Sequence, residues 1–162
     1  MDNEGYARTG RNMFVIAWLI LFGLLFAFFY FFSGDEKGGY QVQHGQVMID
    51  ADSQGHYRIK GYINDKPVEF MVDTGASLVA IPQSIADRLH LTGRYPVRLE
   101  TANGSMTGLL TRMDTLVFGD FHLTNIKGVI LPDNKSDTIL LGMNVLSLFN
   151  LTQKERQLVI KK

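Results

Sequence analysis

The chain has 162 residues, enough for one folded domain, and its 16 basic and 16 acidic residues cancel to a formal charge of zero. No block or stripe of lysine and arginine marks a nucleic-acid surface, and Lys161-Lys162 reads as a solvated tail. There is no cysteine, which excludes disulfides, thiolate metal sites and thiol catalysis, and the scattered His44, His56, His90 and His122 lack metal-ligand spacing.

Residues 1–12 read as a short cytoplasmic tail, and residues 13–32 (Met13 to Phe32) form an uncharged apolar run. The run is long enough to cross a bilayer core of about 30 Å as a helix. It exceeds the apolar region of about 7–15 residues that a cleaved secretory signal carries. The following Ser33-Gly34-Asp35-Glu36 has no small-x-small cleavage pattern, so the segment is read as a retained anchor rather than a signal. Arg8 and Arg11 precede it and Asp35, Glu36 and Lys37 follow it. The basic side favours the cytoplasm, so the C-terminal part is expected to be exported, into the periplasm if the cell is a bacterium. Residues 33–44, with Ser33, Gly34, Gly38 and Gly39, read as a flexible tether, and residues 45–162 as the folded domain.

The folded part is mostly β in pattern. Val47-Met48-Ile49 and His56 to Ile63 are β-prone runs separated by the turn cluster Asp52-Ser53-Gln54-Gly55. Asp50 and Asp52 are expected to face solvent. Asn64-Asp65-Lys66-Pro67 is a second turn, leading into Val68 to Val72. Pro82 is placed to open a helix over Gln83 to His90, with Ile85, Ala86 and Leu89 at helical spacing. Val97 to Thr101 alternates as a strand, and Asn103-Gly104 has the chemistry of a type I′ hairpin turn. Further strands are expected at Leu109–Met113, Thr115–Phe118, Phe121–Leu131, Ile139–Leu141 and Gln157–Ile160, with a short helix over Gly142 to Phe149. Met106 and Met113 read as packing residues, and Asp133, Asn134 and Asp137 as a polar loop rather than a calcium site. Many short strands and little helix predict an all-β closed barrel or sandwich.

One run carries the chemistry. Phe70-Met71-Val72-Asp73-Thr74-Gly75-Ala76-Ser77 puts a carboxylate at the end of an apolar strand, in a tight turn of small residues. Gly75 permits a backbone turn that a β-carbon would hinder, and the Thr74 hydroxyl both donates and accepts. A turn-forming Asp is the plain alternative. An aspartyl-phosphate nucleophile is disfavoured, because no Gly-rich phosphate loop or magnesium-binding carboxylate cluster accompanies it. Farther along stands Ile139-Leu140-Leu141-Gly142-Met143-Asn144-Val145-Leu146.

These two segments together resemble the retropepsin-like aspartic proteases, whose pattern is an apolar-apolar-Asp-Thr-Gly-Ala loop and a later apolar-apolar-Gly segment opening a supporting helix. The resemblance covers roughly residues 45–162. With the anchor, Thr101-Ala102-Asn103-Gly104 and Leu140-Leu141-Gly142-Met143, it is similar to the bacterial single-pass membrane-anchored branch. It implies a single-lobe closed barrel and a site shared by two chains. Asp73 matches the catalytic Asp, Thr74 the residue whose hydroxyl bonds across the dimer axis, and Gly75 the residue whose backbone lies beside substrate. Ala76 and Ser77, with Ala102, Asn103 and Gly104 of a flap hairpin made mobile by Gly104 and Gly108, are implied to bind peptide. Gly142 and Asn144 match the turn into the supporting helix.

The resemblance also implies a peptide or protein substrate, a homodimer and no cofactor or metal. One departure stands out. Viral members carry an Asp four residues after the catalytic Asp and an Arg after the helix Gly, and these pair near the dimer interface. Here those positions are Ser77 and Met143, so both charges are absent together and neither is left buried alone. Confinement in a membrane would raise the local concentration of partners and offset a weaker dimer. The reading is thus an inner-membrane aspartic endopeptidase. Its rival is a non-catalytic dimerisation or peptide-binding module of the same fold, tethered to the membrane.

Overall fold

The computed structural model describes residues 3–32, 38–101, 104–132 and 136–162, and divides into two units after Glu36. The first unit holds α1 (Asn3–Phe32), a helix of about 45 Å at 1.5 Å per residue. Its Met13–Tyr30 stretch has a mean hydropathy of 2.5 and is long and apolar enough to cross a membrane. Phe14, Leu19, Leu24 and Phe26 are all exposed, so apolar surface runs around the helix rather than along one stripe. The helix starts at Asn3, so residues 3–12, expected as a tail, continue its backbone.

The second unit contains β1 (Tyr40–Gln43), β2 (Gln46–Asp50), β3 (Arg58–Ile63), β4 (Lys66–Val72), β5 (Val79–Pro82), α2 (Gln83–Leu89), β6 (Tyr95–Thr101), β7 (Gly104–Phe118), β8 (Phe121–Leu131), β9 (Ile139–Leu141), α3 (Met143–Leu146), β10 (Asn150–Lys154) and β11 (Gln157–Lys161). One sheet runs β3-β4-β9-β5-β8-β7-β6 and closes on itself through a β3–β7 pairing, Gly61↔Phe118 to Ile63↔Leu116. The all-β barrel expected from the sequence is therefore the fold. The second sheet, β1-β2-β11-β10, is antiparallel throughout.

Alternation builds the core. Ile59 and Ile63 of β3, Phe70 of β4, Met113, Leu116 and Phe118 of β7, and Ile139 and Leu141 of β9 are buried in one cluster. Val47, Ile49, Leu158 and Ile160 bring one face of the four-stranded sheet into the same cluster. Each such side chain stabilises the fold by about 1.5–3 kcal/mol relative to exposure. Phe118, Phe121 and Phe149 close one end, with ring centroids 4.4 to 5.6 Å apart. In α2, Ile85, Ala86 and Leu89 face inward, and His90 ends the helix at φ 59°, with the Leu91 N–H returning to the Ala86 carbonyl at 2.9 Å.

The structure departs from the sequence reading in several places. The two strands expected at Leu109–Met113 and Thr115–Phe118 are one, β7. Its burial changes parity between Met113 and Leu116, where it leaves β6 for β3, and that shift looks like a break in sequence. The helix expected over Gly142 to Phe149 is confined to α3, and Asn150–Lys154 is a strand. Tyr40–Gln43, read as tether, pairs with β2.

Candidate active site

The strand order forces a crossing. β4 and β5 lie on opposite sides of β9, with Val72↔Leu141 paired in parallel and Ala80↔Leu140 antiparallel. Between Val72 and Val79 the chain must pass over the end of β9, and the segment that does so is Asp73 to Leu78. The Asp73 N–H donates to the Leu141 carbonyl at 3.1 Å. At the start of α3, the Met143 N–H donates to the Ala76 carbonyl (2.7 Å) and the Asn144 N–H to the Ser77 carbonyl (3.1 Å). Gly142 sits under this crossing at an ordinary φ of −86°, so the glycine is required by space rather than by conformation. The Asn144 Nδ2 donates to the Lys127 carbonyl at 2.9 Å and ties α3 to β8. Its Oδ1 is buried with no hydrogen-bond partner among the described residues.

Asp73 is half-buried, whereas Thr74, Gly75 and Ser77 are exposed. The Gly75 N–H donates to Asp73 Oδ1 at 2.8 Å, and a β-carbon on Gly75 would lie 3.2 Å from that oxygen. Gly75 therefore serves close approach to the carboxylate. Asp73 and Thr74 border a depression of about 330 Å³ that is also lined by Tyr57, Val72, Leu151, Gln153 and Leu158. Asp73 is the one carboxylate among the described residues that line it.

The hairpin of β6 and β7 pairs Thr101 with Gly104, and the Thr101 hydroxyl donates to the Gly104 carbonyl at 2.7 Å. The Asn103-Gly104 turn expected at its tip lies partly outside the described residues, which omit Ala102 and Asn103. Gly104 has φ 109° with open space around its α-carbon. Gly108, expected to lend mobility, is instead packed: a β-carbon there would lie 2.5 Å from Val129 Cγ2 and 3.0 Å from the Ile130 carbonyl oxygen. Val97, Leu99 and Met106 of the hairpin arms pack with Ala80, Val129 and Leu131, in a cluster that also holds Leu78 and Leu140. The arms are thus anchored beside the far end of the Asp73 loop.

Asp52, expected to face solvent, is 7 % exposed. Its Oδ1 accepts from the Gln54 N–H (2.9 Å) and the His56 N–H (2.8 Å), and its Oδ2 from Arg58 Nε (3.0 Å). Burial pushes the Asp52 carboxyl up, but the His56 amide, Arg58, the Gln54 amide and the nearby His56 ring outweigh it and hold it below the ordinary Asp range. Arg58 also reaches Thr138 Oγ1 at 2.9 Å, and Arg156 Nη2 donates to the Asp52 carbonyl at 2.5 Å. This node joins the end of β2, the β10–β11 turn, β3 and the approach to β9.

Sequence reasoning found the Asp73 loop and its Gly142 support. It missed Tyr57, Leu151, Gln153 and Leu158. The usable signal for the last three was the Glu155-Arg156 turn between two short runs, the first of them mostly polar.

The comparisons with known proteins agree with this geometry. The family model for gag-polyprotein aspartyl proteases matches residues 59–148. The crystal structure of a retropepsin-like aspartic protease from Rickettsia conorii superposes with a TM-score of 0.63 at 30% identity, covering 76% of this chain and 94% of that one. An uncharacterised protein of Rickettsia prowazekii (strain Madrid E), RP867, is 31% identical over 124 residues, 75% of this chain and 53% of its own length. An uncharacterised Sinorhizobium protein from the cobV 5′ region is 27% identical over 111 residues, 67% of this chain and 48% of its own. The chain thus spans about half the length of these curated relatives. The closed single-lobe barrel with an Asp-Thr-Gly loop crossing above an apolar-Gly turn is a retropepsin-like fold. The chain belongs to the retropepsin-like aspartic protease family.

Proposed function

We propose that this chain is a membrane-anchored aspartic endopeptidase whose active site forms when two copies bring their Asp73 carboxylates together. The observation that carries the reading is the half-site: a half-buried Asp73 with one oxygen fixed by the Gly75 N–H, in a depression lined by no other carboxylate among the described residues. Two such carboxylates on a two-fold axis share one proton, because like charges so close resist ionising together, as in aspartic protease dyads generally. The ionised member takes a proton from a water held between them, and that water attacks the peptide carbonyl. The protonated member donates toward the carbonyl oxygen, and the leaving amine is then protonated. Thr74 links the two loops across the axis. The Gly75, Ala76 and Ser77 backbone and the hairpin tip at Ala102, Asn103 and Gly104 hold an extended peptide, largely through main-chain hydrogen bonds. Closing the hairpin excludes water. No metal or organic cofactor takes part.

The apolar α1 supports anchoring by a single span, with the N-terminus cytoplasmic and the protease domain in the periplasm. The test is cleavage of an unfolded protein at acidic pH by the full chain in detergent, beside Asp73→Asn. We expect the variant to lose at least about 100-fold, the scale of one general acid–base group. Equal rates would overturn the enzyme reading in favour of a non-catalytic dimerisation or peptide-binding module.

A further inference from the structure

On the outer face of the barrel, three strands carry one row of side chains. Tyr62 of β3 pairs with Val117 of β7, and Val117 pairs with His122 of β8. With Asp65, Thr115 and Thr124 they line a depression of about 430 Å³. We propose that this depression binds an arginine side chain carried on a peptide, with the guanidinium stacked between Tyr62 and His122 and paired with the Asp65 carboxylate. The inference does not rest on the protease reading. Asp65 precedes β4 and Asp73 follows it, so a strand of seven residues, about 23 Å long, separates the two carboxylates.

Three observations point to arginine. First, the row makes a slot. Tyr62 and His122 stand two strands apart, about 10 Å at 4.8 Å per strand, with the short Val117 between them. A flat group touching a ring on each side needs about 7–8 Å, so one such group fits. Guanidinium is planar and stacks on aromatic faces, whereas the lysine ammonium is a compact point charge. Second, the lining includes a carboxylate and no lysine or arginine. Asn64 and Asp65 make the β3–β4 turn with φ 48° and 63°, both positive as a type I′ turn requires. The Asn64 N–H donates to the Thr115 carbonyl (3.1 Å), and Asn64 Oδ1 accepts from the Thr115 N–H (3.0 Å). These bonds fix the turn to β7, so Asp65 is in place before a ligand arrives. Third, the side chains of Tyr62, Asp65, His122 and Thr124 have no hydrogen bond or ion pair among the described residues. An exposed tyrosine alone needs no explanation. Here a Tyr62 that is 50 % exposed faces a second ring across a groove with a carboxylate at its end.

The neighbouring row pairs Thr115 with Thr124, and both hydroxyls line the same depression. They offer hydrogen bonds to the main chain of the peptide that carries the arginine. A segment held here lies a strand's length from Asp73. The site therefore recognises a partner by a part of its chain that the carboxylates do not reach.

The experiment titrates the full-length chain in detergent micelles, carrying Asp73→Asn so that no probe is lost to cleavage. The probe is acetyl-Gly-Arg-Gly amide, at about pH 8, where a free histidine ring is neutral. Its lysine and citrulline counterparts serve as comparisons, citrulline being the uncharged isostere of arginine. Amide NMR shifts report binding. We expect saturable shifts at Tyr62, Val117 and His122. Binding should be about 10-fold weaker for the citrulline probe, and for the arginine probe on Asp65→Asn, the scale of a hydrogen bond to a charged group. It should be about 5-fold weaker for the lysine probe, and for the arginine probe on Tyr62→Ala, the scale of an exposed cation–π contact. Unfolding midpoints check that both variants fold, and the comparison of probes needs neither variant. Equal binding of the arginine and citrulline probes would mean an apolar cleft and overturns the site. So do equal binding of arginine and lysine, shifts confined to the Asp73 loop, or no saturable shift at all. Cleavage by the wild type tests the protease reading separately, and either idea can fail without the other.

Discussion

A β-carbon on Gly142 would stand 2.4 Å from the carbonyl oxygen of Leu78, and 2.8 Å from that of Ala76. These are backbone atoms of the loop that begins at Asp73, so they have no rotamer through which to give way. Gly142→Ala is therefore expected to lift the loop off β9 and strain the Met143-to-Ala76 hydrogen bond. Overpacking of this kind costs about 1–3 kcal/mol. Urea unfolding should show that loss, and peptide cleavage should fall further than stability does, because the displaced segment carries the carboxylate. A variant with unchanged cleavage would mean that the crossing does not position Asp73.

Asp52 predicts how the fold responds to acid. Its carboxyl is held below the ordinary value, about 3.9 for a free Asp, so the folded state binds its proton less readily than the unfolded chain does. The stabilisation is complete above the unfolded value and is lost as pH falls through the lower folded value. Down to about pH 4 the node linking Asp52, Arg58 and Arg156 should therefore stay intact, across the mildly acidic range where a carboxylate dyad works. Asp52→Asn should cost about 1–3 kcal/mol at neutral pH, as expected for losing a charge-assisted bond to Arg58. The gap between wild type and variant should close as pH drops below the Asp range. Unfolding midpoints measured from pH 7 to pH 2 give the comparison, and a gap constant over that range would remove Asp52 as its source.

What the sequence made legible follows from how local each signal is. Phe121–Leu131 and Ile139–Leu141 are strands with the bounds their patterns implied, because uninterrupted apolar or alternating runs need no tertiary information. The Asp73 loop and Gly142 were readable as a motif. Why they belong together was not, since that depends on β9 inserting between β4 and β5. The strand β10 was hidden because Asn150, Thr152, Gln153 and Lys154 give it a polar edge composition; only Leu151 hints at a buried side. Asp52 looked like an ordinary turn residue. Its burial comes from Arg58 and from Arg156, which is over 100 positions away. Gly104 and Gly108 looked alike in sequence and play different parts.

Those two glycines give the last prediction. Gly104 has φ 109°, a region that side chains disfavour, but its α-carbon faces open space at the exposed end of the hairpin. Gly104→Ala strains one backbone position, a cost of about 1–3 kcal/mol if held rigidly, and a hairpin end can relax most of it by re-forming its turn. Gly108→Ala meets Val129 and the Ile130 carbonyl inside the sheet, where neither neighbour can move freely. The first change should alter peptide affinity and turnover with little effect on thermal unfolding. The second should lower the unfolding midpoint and reduce the amount of folded protein, with the kinetics of the remaining molecules near normal. Melting curves set beside kcat and KM for one peptide separate these outcomes. If Gly104→Ala lowers the midpoint as much as Gly108→Ala does, the hairpin end is a structural element of the barrel and not a cover that opens and closes over substrate.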